Sequence, residues 1–365
     1  MAEIDQKTNY PEILPRISLA GDSTTAEPFE NQGLTKDLSP PWYGVAFFWA
    51  SMALLFLGFV LNGLASYGLL VFVIPVFYGT HEAIHDTLVP RRGVLARGRS
   101  IHNTLALVLG CAIQGMNGYV ARPAHAAHHS FGRSARGYSP DRVDAPECLS
   151  TRFVYYLRLF GVNAVAVQSL GFALLVFQTR QLPIRFPVEE RIRTPYLFAA
   201  QLLVMVVVGL MIYLGGLTKL LFYELFFCAV WGLLQNVAHY GLKGIDKPTE
   251  VFCARSYNVG FVARLITFGT LHHLSHHVLP NIPSTYFVDK SLRYQVQKKL
   301  GCGFVVKDGI WSYLVDILRQ FKGPLTKDQL STCWLSSDGG EAGGDLLFKQ
   351  NNKKSCREDK SNMFF

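Results

Sequence analysis

The chain contains apolar segments long enough to cross a membrane, and they restrict the folds open to it. Residues 45–78 are almost wholly apolar and are interrupted only by Asn62 and Gly63. One crossing of a bilayer core of about 30 Å needs roughly 20 residues, so this segment predicts two helices joined by a tight turn. A second apolar stretch, residues 196–237, contains Gly215 and Gly216 and predicts another hairpin. Half of the residues are hydrophobic and only 17% are charged, which favours an integral membrane protein.

Nine of the eleven histidines lie in four clusters beside these apolar segments. The clusters are His81-x-x-x-His85, His125-x-x-His128-His129, the single His239, and His273-x-x-His276-His277. Positions i, i+3 and i+4 share one face of a helix, so each cluster is expected to direct its rings at one point. Imidazole is the commonest metal ligand among side chains. Because one ion takes about four ligands, nine histidines predict two ions.

The type of ligand narrows the chemistry. Sites made only of imidazole suit iron, copper or zinc, and the clusters contain no cysteine. Zinc hydrolases use fewer histidines and usually add a carboxylate base. The pattern therefore favours iron that activates oxygen to attack an unactivated C–H bond of an alkyl chain. A zinc-dependent membrane hydrolase and a transporter with histidine relays are the alternatives from other classes.

The positions of the clusters also predict a topology. If all clusters serve one site, they must lie on one side of the membrane, so residues 105–120 should be re-entrant, interfacial or packed inside the bundle. The loop with Arg180, Arg185, Arg191 and Arg193 should be cytosolic, which makes residues 157–177 interfacial. The predicted fold is an all-α integral membrane protein, with four transmembrane helices as two hairpins and a histidine-rich cap at the cytosolic face.

Three regions follow along the chain. Residues 1–41 predict a flexible cytosolic leader without a signal peptide, residues 42–318 a membrane catalytic domain, and residues 319–365 a polar, disordered tail. Within the domain, residues 263–278 predict one helix that Pro280 and Pro283 end. Residues 286–318 predict amphipathic helices that close the site. The net charge of +9 comes from clusters beside apolar segments, which favours contact with lipid headgroups over nucleic acid.

The sequences HEAIH at 81–85, HAAHH at 125–129, NVAH at 236–239 and HHLSHHVLPNIP at 272–283 resemble the histidine boxes of the membrane fatty acid desaturase and hydroxylase superfamily. The resemblance covers residues 42–318. It implies two spanning hairpins, cytosolic boxes and a di-iron centre (two Fe2+/Fe3+ ions) that uses O₂ as co-substrate. It implies iron ligation by His81, His85, His125, His128, His129, His239, His273, His276 and His277.

The resemblance also implies an external electron donor, cytochrome b5 or ferredoxin with its reductase, because the chain has no haem-binding His-Pro-Gly-Gly motif. Asp86 and Asn236 are candidates to support the ligands, since carboxylates and amides often hold the second nitrogen of a ligating imidazole. Asn236 departs from the pattern, because the family often has Asn-x-x-x-His and here the spacing is one residue shorter. His102 and His272 lie outside the ligand pattern.

The predicted function is desaturation of the hydrocarbon chain of a membrane lipid or fatty acyl substrate. A hydroxylase or ketolase of the same superfamily, acting on an acyl, sphingoid, sterol or isoprenoid/carotenoid substrate, is the close alternative. Both outcomes begin with removal of one hydrogen from a methylene group, and the placement of the substrate decides between them. A multi-pass protein of the endoplasmic reticulum membrane is expected if the source is eukaryotic.

Overall fold

The computed structural model describes residues 42–89, 98–122, 125, 194–242, 254–278, 282–288, 302–304, 306–323 and 334–336, together with parts of 153–169. The described residues are mostly helical, as predicted. The helices are α1 (Trp42–Val60), α2 (Leu64–Leu69), α3 (Val73–Ile84), α4 (Arg99–Ile113), α5 (Thr194–Val237), α6 (Phe261–Ile266), α7 (His273–Val278) and α8 (Gly309–Arg319). Strand β1 (Ser256–Asn258) pairs in parallel with β3 (Val306–Asp308), and β2 (Cys302–Phe304) pairs antiparallel with β4 (Trp334–Ser336).

Among the described residues, three helical stretches are long and apolar enough to cross a membrane: Trp42–Val60, Leu64–Ile84 and Pro195–Leu234. The first two form the hairpin that residues 45–78 predict. Its turn is at Gly63, whose φ of 88° suits a residue without a Cβ. The second arm continues past the apolar segment into the first histidine cluster. A 3₁₀ turn (Leu70–Phe72) interrupts this arm just before Pro75, whose ring cannot follow a regular helical turn.

Helix α5 is not one straight rod. Gly216 has φ 74° and ψ 166°, which lie outside the helical region and are readily open only to glycine. Gln201 before this break and Tyr223 after it both contact the short turn 113–117, through Asn117 and the carbonyl of Ile113. Both arms therefore pack on the same turn, as the predicted second hairpin requires. The count of four membrane crossings stays a prediction.

Helix α4 and the turn after it lie inside the bundle. The helix ends at Ile113, the chain turns at Gly115 (φ 70°), and Gln114 is fully buried. The amide nitrogen of Gln114 donates to the Thr80 hydroxyl at 3.1 Å and to the Gly110 carbonyl at 2.7 Å. These bonds satisfy the amide nitrogen of the buried Gln114 side chain. The turn brings the chain back to His125, beside the end of α3.

The sequence predicted that the third histidine cluster lies on one helix over residues 263–278, and this prediction is wrong. Two short helices, α6 and α7, are separated by a turn in which Phe268 has φ 50° and Gly269 has φ 77°. A Cβ at Gly269 would come within 2.7 Å of the backbone of Ser284 and Thr285. The close approach of these two segments breaks the helix and begins the second one at the first ligand candidate, His273. Helix α7 does end at Val278, before the prolines.

Ordered structure also continues past residue 318, the predicted end of the catalytic domain. A 3₁₀ turn (Gln320–Lys322) follows α8, and Gln320 is fully buried. Its carbonyl accepts a hydrogen bond of 2.6 Å from the Tyr155 hydroxyl, while the Gly323 carbonyl accepts one of 2.8 Å from Tyr240. Residues 320–323 are therefore packed against the catalytic domain, and the polar tail beyond them stays a prediction. The predicted leader, residues 1–41, and the loop with the four arginines lie outside the described residues.

Candidate metal centre

The first histidine cluster lies at the end of α3. His81 is buried and His85 is the residue at which the helix ends, since Asp86 after it has φ 56°. A left-handed residue cannot continue an α-helix, and aspartate is one of the few residue types that tolerate it. The two rings, one helical turn apart, therefore lie at the C-terminal end of α3.

Four histidines from three clusters meet at this point, and they are called the first group below. One ring nitrogen from each of them lies within 4.8 Å of one from every other; they are His81, His85, His125 and His276. The closest pair is the Nε2 atoms of His85 and His125, 2.9 Å apart. Two nitrogens that bind one ion at about 2.1 Å can be no more than about 4.2 Å apart, so the group is close to the spacing of a single-ion site.

Three further histidines, all buried, form a second group: His239, His273 and His277. The Nε2 atom of His273 lies 3.1 Å from that of His239 and 3.1 Å from that of His277. His239 follows the end of α5, and the other two are one turn apart on α7. The two groups are adjacent, because the rings of His273 and His276 have their centroids 5.8 Å apart.

The third cluster therefore contributes rings to both groups. Its spacing suggested that its rings would be directed at one point, and this prediction is wrong. His273 and His277 are four residues apart and share a face, whereas His276 projects into the first group. A helix of only six residues thus connects the two groups. The division into two groups matches the count of two ions that nine histidines predicted. His128 and His129 lie outside the described residues.

The chemistry of the groups fits metal ions. Both ring nitrogens of His81 are buried without a hydrogen-bond partner among the described residues, and such a loss costs about 1–3 kcal/mol per group when nothing replaces it. An ion bound to the ring would remove that cost. The pKa of His276 is well below its ordinary value, mainly because the ring is buried and also because other imidazoles lie beside it. His276 is therefore neutral, which is the form of imidazole that binds metal.

The two predicted supporting residues have other partners. The carboxylate of Asp86 lies 2.6 Å from Arg122, and its carbonyl accepts hydrogen bonds from Arg99 and Asn103. The amide nitrogen of Asn236 donates to the Gln320 side chain at 2.7 Å, so it joins the end of α5 to the C-terminal residues. His102 and His272 belong to neither group, as their positions in the sequence indicated.

Two residues beside the first group were not among the predicted supporting residues. Glu82 is 2% exposed and Ser284 is fully buried. The Ser284 hydroxyl donates to the Glu82 carboxylate at 2.6 Å and lies 3.2 Å from the Nδ1 atom of His276. A signal was available for Glu82, because a carboxylate inside an apolar helix must find partners. No comparable signal marks Ser284, which is one of many serines in the chain.

A cavity of about 190 Å³ lies beside this pair. Its walls include the aromatic side chains of Tyr43, Phe261 and Phe268, and also Arg264. Glu82 lines the cavity, whereas no histidine of either group does. Glu82 therefore lies both at the wall of this cavity and beside the first group.

The comparison with protein families agrees with the geometry. No curated protein and no solved structure matches the chain. The family model described as fatty acid desaturase matches residues 76–294, which include every histidine of the four clusters. The match covers more than half of the chain, and the resemblance drawn from the boxes is confirmed. The chain belongs to the fatty acid desaturase family.

Proposed function

We propose that the chain is an O₂-dependent di-iron oxidoreductase that desaturates the hydrocarbon chain of a membrane lipid or fatty acyl substrate. The observation that carries the proposal is the pair of adjacent histidine groups, which lie where apolar helices long enough to span a membrane end. Iron bound by the two groups would supply the oxidising power that an unactivated C–H bond demands. The family membership supports an oxidoreductase of the desaturase or hydroxylase type.

The protein's own residues have three tasks in this proposal. The imidazoles of both groups would hold the ions, with His128 and His129 expected to complete the set. Buried apolar side chains around α7, such as Leu271, Leu274 and Phe287, exclude water from the site. A dry site protects a reactive centre from side reactions and strengthens its electrostatic interactions.

The substrate is proposed to approach from the lipid. Large apolar side chains cover the outside of α5, including Leu202, Val206 and Leu225, which is 74% exposed. Such a surface is unfavourable in water and natural against acyl chains. Electrons are proposed to come from a separate protein, cytochrome b5 or ferredoxin with its reductase, on the cytosolic face. The site of action is proposed to be the endoplasmic reticulum membrane if the source is eukaryotic.

Two measurements test the proposal, one on the purified full-length protein and one on a host that expresses it. Metal analysis should find about two irons per chain, given roughly four ligands per ion. Lipid profiles of a host that expresses the protein should gain an unsaturated product in air and not without O₂. Zinc in place of iron, together with O₂-independent lipid hydrolysis, would overturn the proposal.

Isotopic oxygen separates the two reactions of the superfamily. In desaturation the oxygen atoms of O₂ leave as water, so a product formed under ¹⁸O₂ carries no label. Hydroxylation inserts one labelled atom and adds the mass of that oxygen to the lipid. A labelled lipid would therefore show that the protein is a hydroxylase or ketolase and not a desaturase. The proposal of an O₂-dependent oxidoreductase would still stand.

A further inference from the structure

The carboxylate of Glu82 is held by partners from two distant parts of the chain. Its Oε2 accepts hydrogen bonds from the Thr87 hydroxyl at 2.7 Å and from the Ser284 backbone N–H at 3.2 Å. Its Oε1 accepts one from the Ser284 hydroxyl at 2.6 Å. Ser284 is 202 residues away in the sequence and begins the 3₁₀ turn (Ser284–Val288) after α7. Glu82 thereby ties the first histidine cluster to the segment that follows the third.

The direction of these hydrogen bonds determines what Ser284 can offer to His276. A serine hydroxyl has a single proton, and Ser284 donates it to Glu82 at 2.6 Å. The Ser284 oxygen is then an acceptor for its other neighbour, the Nδ1 atom of His276 at 3.2 Å. Nδ1 must carry the proton of the neutral ring. The other nitrogen, Nε2, keeps its lone pair.

We infer that Glu82 and Ser284 are positioning residues that fix the tautomer and the ring orientation of His276. The chain of hydrogen bonds from Glu82 through Ser284 to His276 presents Nε2 to the first group. It also makes the ring a better donor, because a carboxylate at the far end of the chain stabilises positive charge on it. This inference rests on the proposed function, since it assigns His276 a place in an iron site.

The protein contains a matched control for this arrangement. The Thr87 hydroxyl bonds to Oε2 of the carboxylate, whereas the Ser284 hydroxyl bonds to Oε1, and Thr87 is also buried. Thr87→Val therefore removes the hydroxyl that bonds to the carboxylate and the backbone carbonyl of Glu82, and it leaves the connection from Ser284 to His276 in place. Ser284→Ala removes the hydroxyl that connects the two. Both substitutions have a similar size and a similar depth in the fold.

The experiment compares four iron-loaded full-length proteins in lipid nanodiscs: the wild type, S284A, E82Q and T87V. The measurements are the rate at which a chelator removes iron and the ⁵⁷Fe Mössbauer spectrum of the bound iron. S284A should lose about one of the two irons roughly 10–100-fold faster than the wild type, the usual effect of removing a group that orients a ligand. One of the two iron signals should change. E82Q keeps an acceptor oxygen without the charge and should be intermediate, and T87V should resemble the wild type.

The outcomes separate the inference from the proposed function. If the wild type binds about two irons and S284A retains them as T87V does, with an unchanged spectrum, the inference is wrong and the function stands. If the wild type binds no iron, the proposed function fails, and the inference with it. Circular dichroism measures the helix content of each variant. Should S284A lose its helices, E82Q decides alone, because its side chain has the same shape as that of the wild type.

Discussion

The two histidine groups share helix α7 but are supported by different parts of the molecule. The first group is supported from the apolar helices, because α3 carries His81 and His85 and packs on α4. The second group is supported by residues 306–323, called the C-terminal module here, which contain β3, α8 and the 3₁₀ turn. Asn236, just before His239, bonds to Gln320 of this module. The comparison indicates that the two groups can be perturbed one at a time.

The C-terminal module has its own buried charge. Asp316 is 1% exposed, and its carboxylate bonds to Lys307 at 2.7 Å, to Arg319 at 2.9 Å and to the Tyr257 hydroxyl at 2.8 Å. These contacts join α8 to β1 and β3. Among the described residues, the buried carboxylate beside the first group is Glu82, which bonds to hydroxyls and a backbone N–H, and the ion pair of Asp86 with Arg122 next to His85 is partly exposed. The first group is thus built into the membrane helices, whereas the second is assembled by a charged module.

Removing one ligand candidate from each group should give the largest effects. His276→Ala and His273→Ala should both abolish turnover while leaving membrane insertion intact. Each should also lower the iron content from about two per chain to about one, because the other group keeps its ligands. His102→Ala is the control, since that histidine belongs to neither group. Iron analysis and product formation measure the outcome, and turnover retained by either ligand variant would show that the assignment is wrong.

Neutralising Asp316 should weaken the C-terminal module and the second group only. Removing one partner of a fully buried ion pair costs roughly 3–5 kcal/mol. The side chains of Lys307 and Arg319 are 22% and 54% exposed, so solvent screening reduces the expected cost of Asp316→Asn to about 2 kcal/mol. Hydrogen exchange of residues 306–323 should become faster, and the second group should lose iron to a chelator sooner than the first. Asp308→Asn in the same module is the control, because Asp308 is exposed and asparagine serves equally at a helix start.

The contribution of Asp316 to stability should decrease in acid. Burial by itself would raise the pKa of Asp316, but the hydrogen bond from Lys307 and the charge of Arg255 outweigh it, and the pKa lies below its ordinary value of 3.8. The folded state therefore favours the ionised form. Its contribution is complete well above pH 3.8 and is lost as the pH falls through the folded-state pKa. The difference between wild type and Asp316→Asn should be constant near neutral pH and should shrink in acid; a difference that grows in acid would contradict this assignment.

A substitution that disturbs the packing between α3 and α4 should weaken the first group and not the second. A Cβ at Gly110 would overlap the Thr80 hydroxyl, one residue before His81. Overpacking of this kind costs about 1–3 kcal/mol, so Gly110→Ala should lower the thermal midpoint and speed the loss of iron from the first group. Gly209→Ala is the control, because it lies in α5 with nothing within 4 Å of the added Cβ. Equal iron loss from the two groups in Gly110→Ala would argue against their separate support.

The sequence predicted the elements that depend on residues close together in the chain. Apolar length predicted the first hairpin, and glycine predicted the turn at Gly63 and the break at Gly216. Seven of the nine predicted ligands lie in the two groups, but their spacing did not predict how they divide. It could not predict that His276 leaves the other histidines of its cluster, because that depends on the angle at which α7 approaches α3. The break of the third-cluster helix at Gly269 has the same origin, since residues 284–285 lie against it.

The supporting residues were the least predictable part of the site. Asn236 bonds to a glutamine 84 residues away, and Glu82 to a serine 202 residues away. No local pattern contains such contacts. The sequence instead favoured Asp86, because it is next to a ligand candidate and carries a carboxylate. Adjacency in the chain is a poor guide at the end of a helix, where Asp86 has a left-handed backbone and its carboxylate pairs with Arg122.

Asp86→Asn should accordingly have the smallest effect. Its ion pair with Arg122 is 40% exposed on the aspartate side and 37% on the arginine side, and a pair of this kind contributes about 0–1 kcal/mol. Asparagine tolerates the φ of 56° as well as aspartate does, so the backbone keeps its turn. If Asp86 oriented a ligand, its loss would raise the rate of iron release roughly 10–100-fold, as expected for S284A. A chelator assay on the two variants side by side therefore decides which carboxylate supports the first group, and an Asp86→Asn protein that releases iron as fast as S284A would restore Asp86 to that role.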